Sequence, residues 1–213
     1  MKFGILGTGM VGKTIATKLI SLGHEVKMGA RTENSASALE WVAQNGPRAS
    51  QGSFMQAAAF GEINVVATAG TTALDVLKSA GDGANGKTMI DISNPLDFSK
   101  GMPPTLSICN DDSLGEQLQR AFPNVHIVKT LNTMAHVVMV NPGLVSGDSD
   151  VFVSGNNASA KAQVIALLQT FGWKAPIDLG DISTARGTEM LLPVWLRLWG
   201  VLGKAEFNFK IVR

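Results

Sequence analysis

The six residues Gly7-Thr8-Gly9-Met10-Val11-Gly12 limit what this chain can fold into more than any other stretch. They follow an apolar run of strand type, Lys2 to Leu6, and open a segment of helical period, Val11 to Leu22. In that setting G-x-G-x-x-G has a mechanical reading. Gly7 permits the tight turn, Gly9 lets the backbone approach a pyrophosphate, and Gly12 lets the helix pack closely on the strand, while the free N–H groups and dipole of the helix start attract phosphate. The competing reading is an incidental turn, which the strand before and the helix after disfavour. Gly7, Thr8, Gly9, Met10, Val11 and Gly12 are thus candidate cofactor-binding residues.

Further strand-like runs recur at Glu25–Met28, Ile63–Ala67, Thr88–Ile92 and Val125–Leu131, with helical segments at Ala36–Gln44, Ala73–Ala80 and Ser113–Ala121 between them. This alternation predicts an α/β fold, a Rossmann-type doubly wound parallel sheet. From about Asn141 the texture changes. A strand-like Val151–Ser154, a helix from about Ala158 to Phe171, a short strand near Ile177, a very apolar helix and an alternating Phe207, Phe209, Ile211 tail predict a small C-terminal α+β lobe. The expected organisation is a dinucleotide-binding domain over residues 1–141 and a smaller lobe over 142–213 for the substrate cleft and dimerisation. A length of 213 residues suits one large domain or one domain with such an appendage.

The end of the second strand selects the dinucleotide. An NAD enzyme places Asp or Glu there, about 20 residues after the last glycine, against the ribose hydroxyls. Here the stretch reads Gly29-Ala30-Arg31-Thr32. Arg31 offers a guanidinium fork suited to phosphate and Thr32 a hydroxyl donor, so NADP is favoured over NAD. Glu33 is expected to be a first-turn carboxylate complementing the following helix. A merely solvated Arg31 is the alternative.

Composition closes other routes. Lys+Arg 18 against Asp+Glu 17, with no block of like charge, lacks the footprint of a nucleic-acid or membrane-surface partner. One cysteine, Cys109, and three scattered histidines, His24, His126 and His136, give no metal-ligand spacing, so no metal is expected. The absence of tyrosine eliminates dehydrogenases that use a Tyr–Lys proton donor. Without a secretory signal at the N-terminus, and with Met190–Leu202 too short and interrupted to span a bilayer, the protein is expected in the cytoplasm.

With these pieces in place, the chain resembles the coenzyme F(420)-dependent NADP oxidoreductases and, with them, the cytosolic domain of the six-transmembrane epithelial metalloreductases. The likeness runs through the glycine loop, Gly-Ala-Arg-Thr, Asp91-Ile92-Ser93-Asn94-Pro95, Val128-Lys129-Thr130-Leu131-Asn132-Thr133-Met134, Ile182-Ser183-Thr184-Ala185-Arg186, Leu192-Pro193 and Phe209-Lys210-Ile211. The resemblance implies a Rossmann domain with a small C-terminal lobe, a homodimer, and a nicotinamide lying between the lobes beside a deazaflavin. It further implies that Gly9, Met10 and Val11 cradle the pyrophosphate, that Arg31 and Thr32 hold the 2′-phosphate, that Thr68, Ala69 and Gly70 line the cleft, and that Asn132, Thr133 and Met134 sit beside the nicotinamide. Two positions depart from the deazaflavin-using pattern, Asn132 where those relatives carry His and Ala69-Gly70 where they carry Pro-Trp. Both bear on the second substrate, not on NADP.

The expected function is hydride transfer between NADPH and a deazaflavin, coenzyme F(420), or a flavin-like acceptor. Reduction of a small carbonyl or imine and a non-catalytic NADP-sensing module are the alternatives. No indispensable catalytic acid or base is assigned. Lys129 reads as a catalytic cation or a structural residue, His136 as a proton donor or a structural one, and Arg186 as a helix-start or ligand contact. Trp195 and Trp199, four apart in a helix apolar nearly all round, suggest burial on more than one side and a second subunit.

Overall fold

The computed structural model describes residues 1–212. In chain order the elements are β1 (Lys2–Leu6), α1 (Met10–Ser21), β2 (Glu25–Ala30), α2 (Ala36–Asn45), β3 (Ala49–Ser53), α3 (Phe54–Phe60), β4 (Ile63–Val66), α4 (Gly70–Ala80), β5 (Thr88–Asp91), β6 (Leu96–Asp97), β7 (Thr105–Leu106), α5 (Leu114–Ala121), β8 (His126–Thr130), α6 (His136–Val140), β9 (Phe152–Ser154), α7 (Ala158–Phe171), β10 (Ile177–Gly180) and α8 (Ala185–Leu202). One eight-stranded sheet has the order β10-β9-β8-β5-β4-β1-β2-β3, and β6 and β7 form a separate antiparallel hairpin. Every pairing from β3 to β8 is parallel. This is the doubly wound α/β architecture.

Strands buried on both faces need apolar side chains at successive positions. Period-two alternation sends Phe3, Ile5, Val26, Met28, Val65, Ile90 and Val128 to one face, where Ile15, Leu19, Trp41, Val164 and Phe171 cover them. Leu6, Val66, Met89 and Ile127 point the other way, toward Phe54, Ala57, Leu77 and Leu118. Two packed layers on one sheet result.

Residues past 141 extend this sheet instead of making another. β9 joins β8 in antiparallel register, Lys129 opposite Ser154, and β10 then pairs parallel with β9. The boundary expected at residue 141 falls between adjacent strands of one sheet, and Arg213 lies outside the described residues. The alternating Phe207, Phe209, Ile211 tail forms no strand. It is strapped down instead: Asp150 donates its N–H to the Phe209 carbonyl and accepts from the Ile211 N–H, and Phe207 stacks on Trp195 at 5.2 Å. In α8 a single stripe, Ala185, Thr188, Glu189, Leu192 and Trp195, is buried, while Val194 and Trp199 stay 50% and 42% exposed. The expected burial on several sides is therefore not met within one chain. Among the described residues, no helix is long and apolar enough to cross a membrane.

Candidate functional site

The chain leaves β1 for β2 on one side and returns at β4 on the other, so the sheet order reverses between β1 and β4. In open α/β sheets ligands bind at the carboxyl ends of the strands at this switch point. The glycine loop leaves β1 there, and Ala67-Thr68-Ala69 leaves β4 beside it. Gly7 has φ of +136°, and a Cβ on it would strike the Ala67 carbonyl oxygen. A Cβ on Gly12 would stand 2.5 Å from the Gly7 carbonyl oxygen. Close packing of strand, loop and helix thus requires both. Gly9 differs: a Cβ there meets no protein atom within 4 Å, so what its missing side chain leaves open is the cleft. Ser37 Oγ donates to the Thr8 carbonyl at 3.0 Å and steadies the loop from α2.

Two cavities of about 580 Å³ and about 500 Å³ meet at Gly9, Ala67, Thr68 and Ala69. The second extends past Gly7, Thr8, Ala30, Arg31 and Thr32 to Asp75 and Ser79. Arg31 is exposed at its edge and has no carboxylate within ion-pair distance among the described residues. Glu33 does not enter the first turn of α2, which begins at Ala36; it lies in the preceding turn and accepts from Gln56 Nε2 at 2.7 Å. The expected helix-dipole role for Glu33 is corrected, since the chain takes five residues to turn from Ala30 into α2. The first cavity runs from Met10 and Val11 past Gly70 to Ile92, Ser93, Asn94 and the β6–β7 hairpin, with Leu96, Asp97, Phe98 and Ser107 as its far wall.

Three features of the cleft fit a dinucleotide. The starts of α1 and α4, at Gly9 and Ala69, carry no side-chain cap and no first-turn acid, whereas Ser53, Ser113 and Asn157 cap α3, α5 and α7. Uncapped N–H groups and a positive helix end face the cleft, which suits phosphate. Thr68 Oγ1, between the two cavities, is buried with no hydrogen-bond partner. An unsatisfied buried hydroxyl costs free energy that a ligand donor or acceptor there would recover.

Other sequence candidates are placed differently. Asn132, Thr133 and Met134 are buried and do not line either cavity. Asn132 Nδ2 donates to Asn94 Oδ1 at 2.9 Å and to the Thr188 carbonyl at 3.1 Å, and Asn94 Nδ2 donates back to the Asn132 carbonyl. The segment therefore supports the cavity wall from behind. Lys129 is fully buried, with Nζ 2.9 Å from Asp91, 2.8 Å from Glu189 and donating to the Ser93 carbonyl at 2.6 Å. Burial works against its ammonium, but the two carboxylates outweigh that and raise its pKa. His136 Nδ1 lies 2.9 Å from Thr14 Oγ1, whose own proton goes to the Met10 carbonyl, so Nδ1 is the donor and His136 links α6 to α1. Arg186 forks onto Glu116 with hydrogen bonds of 2.8 Å and 2.6 Å. Cys109 is exposed, and no metal-binding group of three or more His, Cys, Asp or Glu occurs among the described residues.

Sequence reasoning missed the hairpin wall, Leu96, Asp97, Phe98 and Ser107. Its strands have two residues each, too short for a periodic signal; Asn94-Pro95 before it and Gly101 with Pro103-Pro104 in its loop are the turn signals the sequence offers.

Residues 2–95 match the family described as NADP oxidoreductase, coenzyme F(420)-dependent. A solved structure from Arthrobacter sp. FB24, provisionally named an F(420)-dependent NADP reductase, is 52% identical with a TM-score of 0.95, each chain covered over 100% of its length. The F(420)-dependent NADP reductase of Methanocaldococcus jannaschii is 28% identical over 93% of this chain and 92% of its own length. Metalloreductase STEAP3 of Rattus norvegicus is 27% identical over 91% of this chain, which spans only 38% of that longer protein. The glycine loop at the switch point and the matches on either side of it agree: the chain belongs to the coenzyme F(420)-dependent NADP oxidoreductase family and is an NADP-dependent oxidoreductase.

Proposed function

We propose that the cleft holds NADP(H) along its length and that the reaction passes hydride between its nicotinamide and a deazaflavin, coenzyme F(420), or a flavin-like ring. One observation carries this reading: the two cavities join at Gly9 and Thr68, one edged by the free guanidinium of Arg31 and the other walled by Met10, Ile92, Leu96 and Phe98 together with Ser93 and Asn94. Arg31 and Thr32 would hold the 2′-phosphate, the N–H groups of Met10 and Val11 the pyrophosphate, and Thr68 Oγ1 a polar atom between them. Reduced nicotinamide supplies two electrons and one proton as hydride when bound. Ser93, Asn94 and the hairpin, braced from behind by Lys129 and Asn132, would hold the acceptor at reacting distance and keep water out.

A ring acceptor is favoured over a carbonyl by what lines the second half. Carbonyl reduction places negative charge on oxygen and calls for a nearby proton donor. The Ser93 hydroxyl donates to Asp91, the Ser107 hydroxyl to the Pro95 carbonyl and the Asn94 amide to the Asn132 carbonyl, while Lys129 and His136 are engaged elsewhere and line neither cavity. A flavin or deazaflavin instead spreads the charge over its own ring.

The test is NADPH oxidation followed optically with a deazaflavin, FMN and small carbonyls or imines offered in turn, for wild type and His136→Ala. Turnover with a ring acceptor and a loss below about tenfold in the variant support the reading. Turnover with carbonyls or imines alone, or a loss beyond about a thousandfold at intact cofactor affinity, overturns it.

A further inference from the structure

The cavity edged by Arg31 carries an acid that phosphate binding does not account for. Part of its lining comes from the turn between β2 and α2, with Arg31, Thr32 and Ser35, and part from α4, with Thr72, Asp75, Val76 and Ser79. Phe54 and Val76, both nearly buried, give it apolar surface. Asp75 is the one carboxylate among the lining residues.

A dinucleotide phosphate brings anions into this half of the cleft, and a carboxylate repels them. What a carboxylate can recognise is a hydrogen-bond donor. Asp75 is free to accept one: among the described residues its single ion pair, Lys78 Nζ at 3.6 Å, is too long for a hydrogen bond, and Lys78 lines neither cavity. The α4 hydroxyls are engaged locally, Thr72 Oγ1 donating to the Ala69 carbonyl at 3.0 Å and Ser79 Oγ to the Asp75 carbonyl at 2.8 Å.

NADP(H) carries two NH2 groups, the 6-amino group of adenine and the carboxamide of nicotinamide. With the 2′-phosphate at Arg31 and the nicotinamide in the other cavity, the adenine is the one that remains on the α4 side. We infer that the Asp75 carboxylate accepts the adenine 6-amino group and selects adenine over a purine with a carbonyl at that position, a role that rests on NADP(H) lying along the cleft as proposed above. Phe54 and Val76 supply apolar contact for the purine. A 6-carbonyl oxygen would instead meet the carboxylate lone pairs with no proton between them. Because the Asp75 side chain is 79% exposed, water competes for the bond and the selectivity is a factor of a few.

Fluorescence titration of the full chain measures Kd for NADPH and for reduced nicotinamide hypoxanthine dinucleotide phosphate, in which a carbonyl replaces the 6-amino group while the phosphates and nicotinamide are kept. Wild type, Asp75→Ala and Asp75→Asn are compared; each variant alters one exposed side chain, so the fold should be retained. NADPH is expected to bind about three- to tenfold more tightly in wild type. The ratio should fall toward one in both variants, since alanine has no polar atom to offer and the asparagine amide can accept from an amine or donate to a carbonyl. Equal affinities in wild type, or a ratio that Asp75→Ala leaves untouched, overturn the role of Asp75 and leave NADP(H) in the cleft. Binding of neither dinucleotide overturns both.

Discussion

Lys129 Nζ stands 2.8 Å from Glu189, tying the end of β8 to α8 behind the cleft wall. The same carboxylate accepts the Leu114 N–H at 2.8 Å and the Gly115 N–H at 3.0 Å, so a residue of α8 also satisfies the first turn of α5. Asp91, on the other side of the ammonium, accepts from the Ser93 N–H at 2.9 Å and from its hydroxyl. Ser93 is therefore held at both its N–H and its carbonyl by one buried cluster.

Removing the cation should be costly. Lys129→Met strands two buried carboxylates, and such a loss is worth about 3–5 kcal/mol. Urea unfolding should show a loss of unfolding free energy of that size, and a loss under about 1 kcal/mol would contradict the pairing. Because the Lys129 pKa is raised, its contribution is complete below the unfolded lysine value and is lost only as pH rises through the folded one. Neutral-pH stability should thus be flat with respect to this group.

Arg31→Ala should weaken NADPH by about ten- to a hundredfold, the scale of about 1.5–3 kcal/mol for a charge-assisted contact, and leave NADH little changed. Paired titrations of both cofactors check it; equal weakening of the two would remove Arg31 from the phosphate.

Thr68→Val separates stability from binding. The methyl replaces a buried hydroxyl without a partner, so thermal stability should hold or rise. NADP(H) affinity should fall by about two- to tenfold, one hydrogen bond's worth. Unchanged affinity would mean that the hydroxyl faces no ligand atom.

Acid should loosen the α5–α8 contact. The Arg186 fork, foremost, and the Ser113 hydroxyl hold the Glu116 pKa below its ordinary 4.5. The stability it contributes is present above that value and is lost as pH falls through the lowered one. Glu116→Gln should flatten the melting temperature against pH on the acid side; an unaltered profile would exclude Glu116 as a source of acid sensitivity.

Exposed Val194, Trp199, Val201 and Leu202 on α8 point to a second copy of the chain as their cover. Light scattering at micromolar concentration should give about twice the 22.4 kDa chain mass, and Trp199→Glu should return it toward the single-chain value. A wild-type mass of one chain would refute the dimer.

The glycine loop at the switch point and the position of Arg31 at the cavity edge were legible because both are local, a few residues read against the strand before and the helix after. β3 and α3 were not anticipated, since Ala49-Ser50-Gln51-Gly52-Ser53 carries no apolar alternation and α3 has seven residues. The Ser53–Gln56 capping box was the available signal for α3. Lys129 could be read as catalytic or structural only until Asp91 and Glu189, remote in sequence, were brought against it. The tail failed for the converse reason, as its alternation serves packing on Trp195 and the Asp150 strap without a neighbouring strand.

Gly70 sits against the Asn94 carbonyl so closely that a Cβ would collide with it. A bulky residue at 70 therefore cannot be acquired in a single step, because the 94–98 segment must first withdraw. Substitutions at 70 and along that segment should show strong epistasis, each damaging alone and tolerated together. The order in which mutations arrive, as much as which ones, then decides which acceptor shapes descendants of this chain can reach.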